Sequence, residues 1–194
     1  MNPLKSILGT IVAGFVISVI IALLESSPVA SAAWSLSVWL HVLAGVVWIG
    51  LLYYFNFVQV PAVATATADS DGPGPAAISK YVAPRALAWF RYGALVTWLT
   101  GAWALEYVGG FSANMFFTNG VTVIGIGAWL GTIMLFNVWV LIWPNQKKLL
   151  GIVEATDAQK ASAKNIAFLA SRTNTMLSIP MLMCMVGHAH TLPI

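Results

Sequence analysis

The sequence contains three histidines, His41, His188 and His190, and a single cysteine, Cys184. His41 stands near the start of one long apolar run and His188 near the end of another. Neutral imidazole binds iron and copper, and an ionisable side chain inside an apolar segment marks a functional position by default. On the helical face of His41, positions three, four and seven onward are Ala44, Gly45 and Trp48. Backward from His188 on its own face stand Cys184, Met181, Leu177 and Asn174, with Gly187 immediately before it. Small Ala44, Gly45 and Gly187 leave room beside the imidazoles for a flat macrocycle. Two histidines on different helices would hold a haem b without covalent attachment. The expected cofactor-binding residues are therefore His41, Gly45, Trp48, Met181, Gly187 and His188, with His41 and His188 on the iron.

Copper is the alternative. Met181, Met183, Cys184, Met185, His188 and His190 offer thioether, thiolate and imidazole groups, the soft ligands that suit copper. Methionines two apart on a helix point in different directions, so this reading rests on His188 with His190 and requires the helix to end there. A third reading has both histidines in packing or interfacial roles. One cysteine excludes an internal disulfide, a four-thiolate iron–sulfur cluster and haem attachment through Cys-x-x-Cys-His. No catalytic side chain is assigned.

The elements that carry these residues follow from composition. Of 194 residues, 59% are hydrophobic and 8% charged, and the mean hydropathy is +0.85. A soluble domain carries roughly a quarter charged residues. Nine Lys/Arg and six Asp/Glu cannot coat a water-facing surface of this size. That excludes an ordinary soluble enzyme, a disordered tail and a nucleic-acid binder, and leaves the lipid bilayer as the partner. About 20 apolar residues cross about 30 Å of hydrocarbon, and five stretches qualify: roughly residues 4–24, 36–60, 84–107, 118–143 and 166–188. The expected fold is all-α, a single membrane domain over 1–194 built as a bundle of five transmembrane helices.

Charge sets the expected orientation. Lys5, Lys80, Arg85, Arg91, Lys147, Lys148, Lys160, Lys164 and Arg172 all fall on one side of such a chain, and the opposite loops and C-terminal tail hold none. By the positive-inside rule the N-terminus is inside and the C-terminus outside, as in a multi-pass protein of a bacterial inner membrane. His41 and His188 then both lie in the outer half, at comparable depth. Lys5, an apolar run and Ala30-Ser31-Ala32 also resemble a secretory signal, but the run exceeds the usual ~7–15 residues and reads as a retained helix. Asp69–Pro75 is a loop by composition, and so is 111–119. Residues 147–163 form a polar segment, and Pro144 is expected to end the fourth span. Asn56 and Gln59 are placed to meet Asn137, Asn145 and Gln146 at the inner end of the bundle, beside Trp139 and Trp143. Trp34, Ser112, Asn114 and Asn119 are the outer groups able to bond haem propionates.

Three segments carry a family resemblance: HVLAGVVWIGLLYYF from His41, NVWVLIWPNQKK from Asn137 and TNTMLSIPMLMCMVGHAH from Thr173. Together they resemble the N-terminal membrane domain of the bacterial cytochrome-c-type urate oxidases (urate hydroxylases), over roughly residues 34–190. His41, Trp48, Asn137, Trp143, Pro144, Asn145, Gln146, Asn174, Pro180 and His188 match the family's pattern. The resemblance implies a multi-span domain whose electrons, taken from urate, leave through a cytochrome c domain. This sequence has no Cys-x-x-Cys-His and fewer spans, so its electron acceptor would be a separate extracytoplasmic cytochrome c. Four functions follow as expectations: a b-type cytochrome-like electron-transfer protein, a urate-hydroxylase-like oxidoreductase, a cofactor-free subunit of a larger membrane complex, or a copper-handling membrane protein.

Overall fold

The computed structural model describes residues 2–24, 29–120 and 122–192, which are helical and contain no strand. The chain divides into two compact units, Met1–Leu36 and Ser37–Ile194. The first holds α1, Ile7–Leu24, which buries none of its residues. The Ser6 hydroxyl caps its start by accepting from the Gly9 N–H. α1 is long and apolar enough to cross a membrane.

The second unit is built on four long helical rods. The first is α2 (Val29–Tyr54), which enters this unit at Ser37 and runs through a π turn into α3 (Val60–Ala68). Next comes α4 (Ala83–Glu106), preceded by a π turn at Ile78–Val82. The short α5 (Phe111–Met115) leads to α6 (Val123–Phe136), which continues through a π turn at Asn137–Ile142 into α7 (Trp143–Leu149). The last rod is α8, Asp157–His190.

The rods pack antiparallel in a closed cycle. A Cβ added at Gly93 of α4 would lie 3.4 Å from the Trp48 backbone nitrogen of α2. Trp98 Nε1 of α4 donates to Thr132 Oγ1 of α6 at 2.9 Å. A Cβ at Gly127 of α6 would lie 2.9 Å from Cys184 Cβ of α8, and the Tyr53 hydroxyl of α2 meets Ser178 Oγ of α8 at 3.0 Å. Small residues let membrane helices approach this closely. The core between them joins Trp48, Leu52, Phe90, Met134, Val138 and Met181.

Each of the three π turns is followed by a proline. Pro61, Pro84 and Pro144 stand at the second position of the helix that resumes after residues 55–59, 78–82 and 137–142. Proline has no N–H to give the carbonyl four residues back, and its ring clashes with that carbonyl. Those carbonyls belong to Phe57, Lys80 and Val140, each inside a π turn. Hydrogen bonds to the fifth residue back, such as Trp143 N–H to Val138 C=O, carry the helix past the obstacle. Pro144 therefore does not end the helix, which runs on to Leu149.

Three stretches are long and apolar enough to cross a membrane: Ile7–Leu24, Ala32–Ala68 and Val123–Leu149. The expected spans at 84–107 and 166–188 are both helical. Their apolarity is diluted by Arg85 and Arg91 on α4 and by inward-facing Asn174 and Ser178 on α8. The expected loop at residues 69–75 is non-helical, whereas 111–119 contains α5. The polar segment 147–163 is not one element: α7 ends in it and α8 begins at Asp157, behind a capping box of Thr156 and Gln159. The first loop is expected at residues 25–33; residues 25–28 lie outside the described residues, and 29–33 belong to α2 instead.

Candidate functional site

His41 sits in the seam between α2 and α4. Its Nδ1 lies 2.8 Å from the Thr97 carbonyl oxygen. A carbonyl only accepts, so Nδ1 carries the proton and Nε2 keeps its lone pair. No described residue hydrogen-bonds that Nε2. The ring rests on Gly101, where an added Cβ would come within 2.8 Å of Cε1. Metal-ligating histidines commonly donate the other ring N–H to a backbone carbonyl, which fixes their orientation. His41 has that arrangement.

The remaining residues of the expected cofactor face have other neighbours. Gly45 faces the Thr97 methyl group, 3.7 Å from an added Cβ. Trp48 is 2% exposed within the core, and its Nε1 lacks a partner. Met181 is buried, its carbonyl close to Gly127. The space at Gly187 is filled by Leu192 of the chain's own tail, whose Cδ2 would lie 2.6 Å from an added Cβ.

His188 has different surroundings from His41. It is exposed and borders a cavity of about 190 Å³ whose apolar wall includes Val108, Ala113 and Ile124, with Asn119 and Thr122 also on its lining. His41 is not part of that lining. Register still puts the two histidines at similar heights: counting from the Tyr53–Ser178 contact, His41 lies about 18 Å and His188 about 15 Å along their helices at ~1.5 Å per residue. Helix α8 stays helical through His190, so His188 and His190 project to different sides. The helix end that a copper chelate of this pair requires comes only after His190. Among the described residues no group of three or more His, Cys, Asp or Glu is arranged around a metal position.

The loop that forms the cavity is held by Asn114. Its Nδ2 donates to the Val108 and Gly110 carbonyls, and its Oδ1 accepts from Thr122 Oγ1. Gly109 (φ +80°) and Gly110 (φ +93°) supply the left-handed backbone that folds the loop back on itself. Trp129 Nε1 ties α6 to the same loop by donating to the Met115 carbonyl at 2.7 Å.

A polar seam crosses the bundle centre. Asn137, opening the π turn after α6, donates from Nδ2 to Asn174 Oδ1 at 2.8 Å, and Asn174 Nδ2 donates to the Met134 carbonyl at 2.9 Å. Asn56, in the π turn after α2, donates to the Leu52 carbonyl and to Ser171 Oγ at 2.8 Å. Ser178 Oγ donates to the Thr175 carbonyl, so the Tyr53 hydroxyl donates to Ser178. Ser171, Asn174, Thr175 and Ser178 share one face of α8. Asn56 thus meets α8 rather than Asn137. Asn145 bonds its own Leu141 carbonyl. Arg91 stacks on Trp143, its guanidinium carbon 3.7 Å from a ring centre.

Residues 105–193 match the family described as urate oxidase N-terminal. That segment is a urate oxidase N-terminal-like domain. Neither a curated protein nor a solved structure matches the chain. The match spans the loop after α4, all of α6 and α7, and α8. It includes every residue that lines the His188 cavity and the Asn137–Asn174 pair, and it leaves out His41.

As a haem site, the donor set fits on one side. His41 offers an oriented imidazole with a free Nε2. The His188 cavity falls below the ~300–1,000 Å³ of ordinary ligand pockets and suits something smaller than a porphyrin. Thr97, Gly101 and Ser171 were not legible as site residues. The hydroxyls at 171, 175 and 178, three and four apart, were the available signal for the seam.

Proposed function

We propose that the chain is the membrane-embedded part of an oxidoreductase of the urate oxidase type, which withdraws electrons from a small substrate and passes them to a separate acceptor protein. The match over residues 105–193 carries this reading. It is supported by buried amides at the π turns, since ionisable and polar groups inside a membrane bundle and π turns both concentrate at working sites.

In this reading the chain crosses a bacterial inner membrane five times with its N-terminus inside, in keeping with the nine cationic side chains on one side. α4 is 24 residues long, about 36 Å at ~1.5 Å per residue, and α8 is 34 residues, about 51 Å; each is long enough to span. His41 is the residue that would hold a haem b iron. Bound there, the haem would supply one-electron redox chemistry. The protein's own part is to fix the imidazole: the Thr97 carbonyl accepts a hydrogen bond from Nδ1–H and Gly101 gives the ring its seat. A cytochrome c is the acceptor in this reading.

Membranes containing the full chain, mixed with urate and oxidised soluble cytochrome c, test this. Urate-dependent reduction of the cytochrome, absent from membranes without the chain, is the expected result. No reduction with urate, in membranes where the chain is folded, would overturn it.

A further inference from the structure

Arg91 carries a charge that its surroundings do not balance. It stands eight residues past the start of α4, about 12 Å along the helix at ~1.5 Å per residue, and is half-buried. Its guanidinium carbon lies 3.7 Å from a ring centre of Trp143 and 5.0 Å from that of Tyr92. Lys147, one turn past Trp143 on α7 and also half-buried, sets its ammonium 6.0 Å from the Trp143 ring. Two positive charges therefore share one indole. Neither side chain has a hydrogen bond or ion pair to any described residue; the ion pair among those residues joins Lys160 to Asp157. Ring faces attract both cations, but they leave the in-plane N–H fork of Arg91 and the ammonium of Lys147 without an acceptor. A charge at this depth in a membrane-spanning helix is normally paired.

The seam that holds the two cations leads onto apolar surface. Tyr92 is exposed and meets Trp139 edge to face, ring centres 5.9 Å apart. Because α4 and α6 run in opposite directions, Val96 and Phe136 each stand about one turn outward of that contact, and both are exposed. A cationic end followed by an aromatic and aliphatic strip matches an amphiphile lying along the bundle. The guanidinium fork suits phosphate oxygens, and basic recesses between helices on the cytoplasmic side are headgroup sites. Charge also selects among lipids. The amine of a zwitterionic head would bring a third cation beside Arg91 and Lys147, whereas an anionic head brings none.

We propose that Arg91, Lys147 and Trp143 form a binding site for an anionic phospholipid of the inner leaflet. Its phosphate lies between the two cations, and an acyl chain runs outward over Tyr92, Val96 and Phe136. The site rests on the bilayer reading and is independent of the oxidoreductase reading.

Native mass spectrometry of the full chain in detergent, titrated with phosphatidylglycerol or with phosphatidylcholine of identical chains, tests this. The wild type should bind phosphatidylglycerol more tightly. Arg91→Gln and Lys147→Gln should each weaken that binding about fivefold and leave phosphatidylcholine unaffected, while Lys164→Gln, an exposed cation on α8, binds like the wild type. Lys147→Gln keeps the Arg91–Trp143 stack, so a loss in that variant reports the charge and not the fold. Inorganic phosphate at the concentration of the lipid should not displace it. Equal binding of the two lipids, an undiminished preference in both variants, or displacement by inorganic phosphate would overturn the proposal. A chain that stays in membranes through an alkaline carbonate wash yet shows no preference loses the lipid site and keeps the bilayer reading.

Discussion

Replacing Asn174 by alanine removes two hydrogen bonds from the middle of the bundle at once. Asn174 is fully buried, 0% exposed, and it both accepts from Asn137 Nδ2 and donates to the Met134 carbonyl. Interhelical hydrogen bonds in a membrane bundle average about 0.6 kcal/mol and reach about 1.7, so two lost bonds cost about 1–3 kcal/mol. The Asn137 amide and the Met134 carbonyl both lose Asn174, their shared partner, in an apolar core. A double-mutant cycle isolates the shared bond. Asn137→Ala and Asn174→Ala should be less than additive, with a coupling of about 0.6–1.7 kcal/mol. Met176→Ala, two positions away and 63% exposed, is the control and should change stability little. Reversible unfolding in mixed micelles, followed by tryptophan fluorescence, reads the four proteins of the cycle and the control. An Asn174→Ala protein as stable as the Met176→Ala control, with no coupling to Asn137, would refute the idea that these amides tie α6 to α8.

Two further outcomes follow from the geometry. Gly101→Ala places a methyl group within 3 Å of the His41 ring and should displace the imidazole from Thr97 without unfolding the bundle. Any spectroscopic signal that depends on His41 should fall by more than half in Gly101→Ala, and an unchanged signal would show that the seat is irrelevant. In a Cys184→Ser background, a cysteine replacing exposed Asp71 should be shielded from a membrane-impermeant thiol reagent added outside intact cells, while one replacing exposed Thr118 should react. The opposite pattern would invert the proposed orientation.

Much of the architecture is readable from residue patterns because apolar length and charge asymmetry are strong, additive signals. The helical character of all five stretches, the loop at 69–75 and the all-α class follow from them. The proline signal misleads at Pro144. Read locally it stops a helix, but a π turn reroutes the backbone hydrogen bonds and the rod continues. Side-chain partners are the least legible part. Gly45 and Gly187 look like room for a cofactor, yet Thr97 and Leu192 fill those places, and no spacing rule reveals which neighbour a small residue faces. His41 was legible as a polar residue on an apolar face; its bond to Thr97, 56 residues on, was not. The His188 cavity depends on a loop whose shape comes from Asn114 and two left-handed glycines, a tertiary arrangement that helical periodicity does not encode.

The most direct measurement is the reduced-minus-oxidised visible spectrum of the full chain, purified from cells supplied with haem precursor, alongside His41→Ala and His188→Ala. The account expects a b-type spectrum in the wild type, its loss in His41→Ala and its retention in His188→Ala. A colourless wild type, or a spectrum that survives the loss of His41 and vanishes with His188, would contradict it.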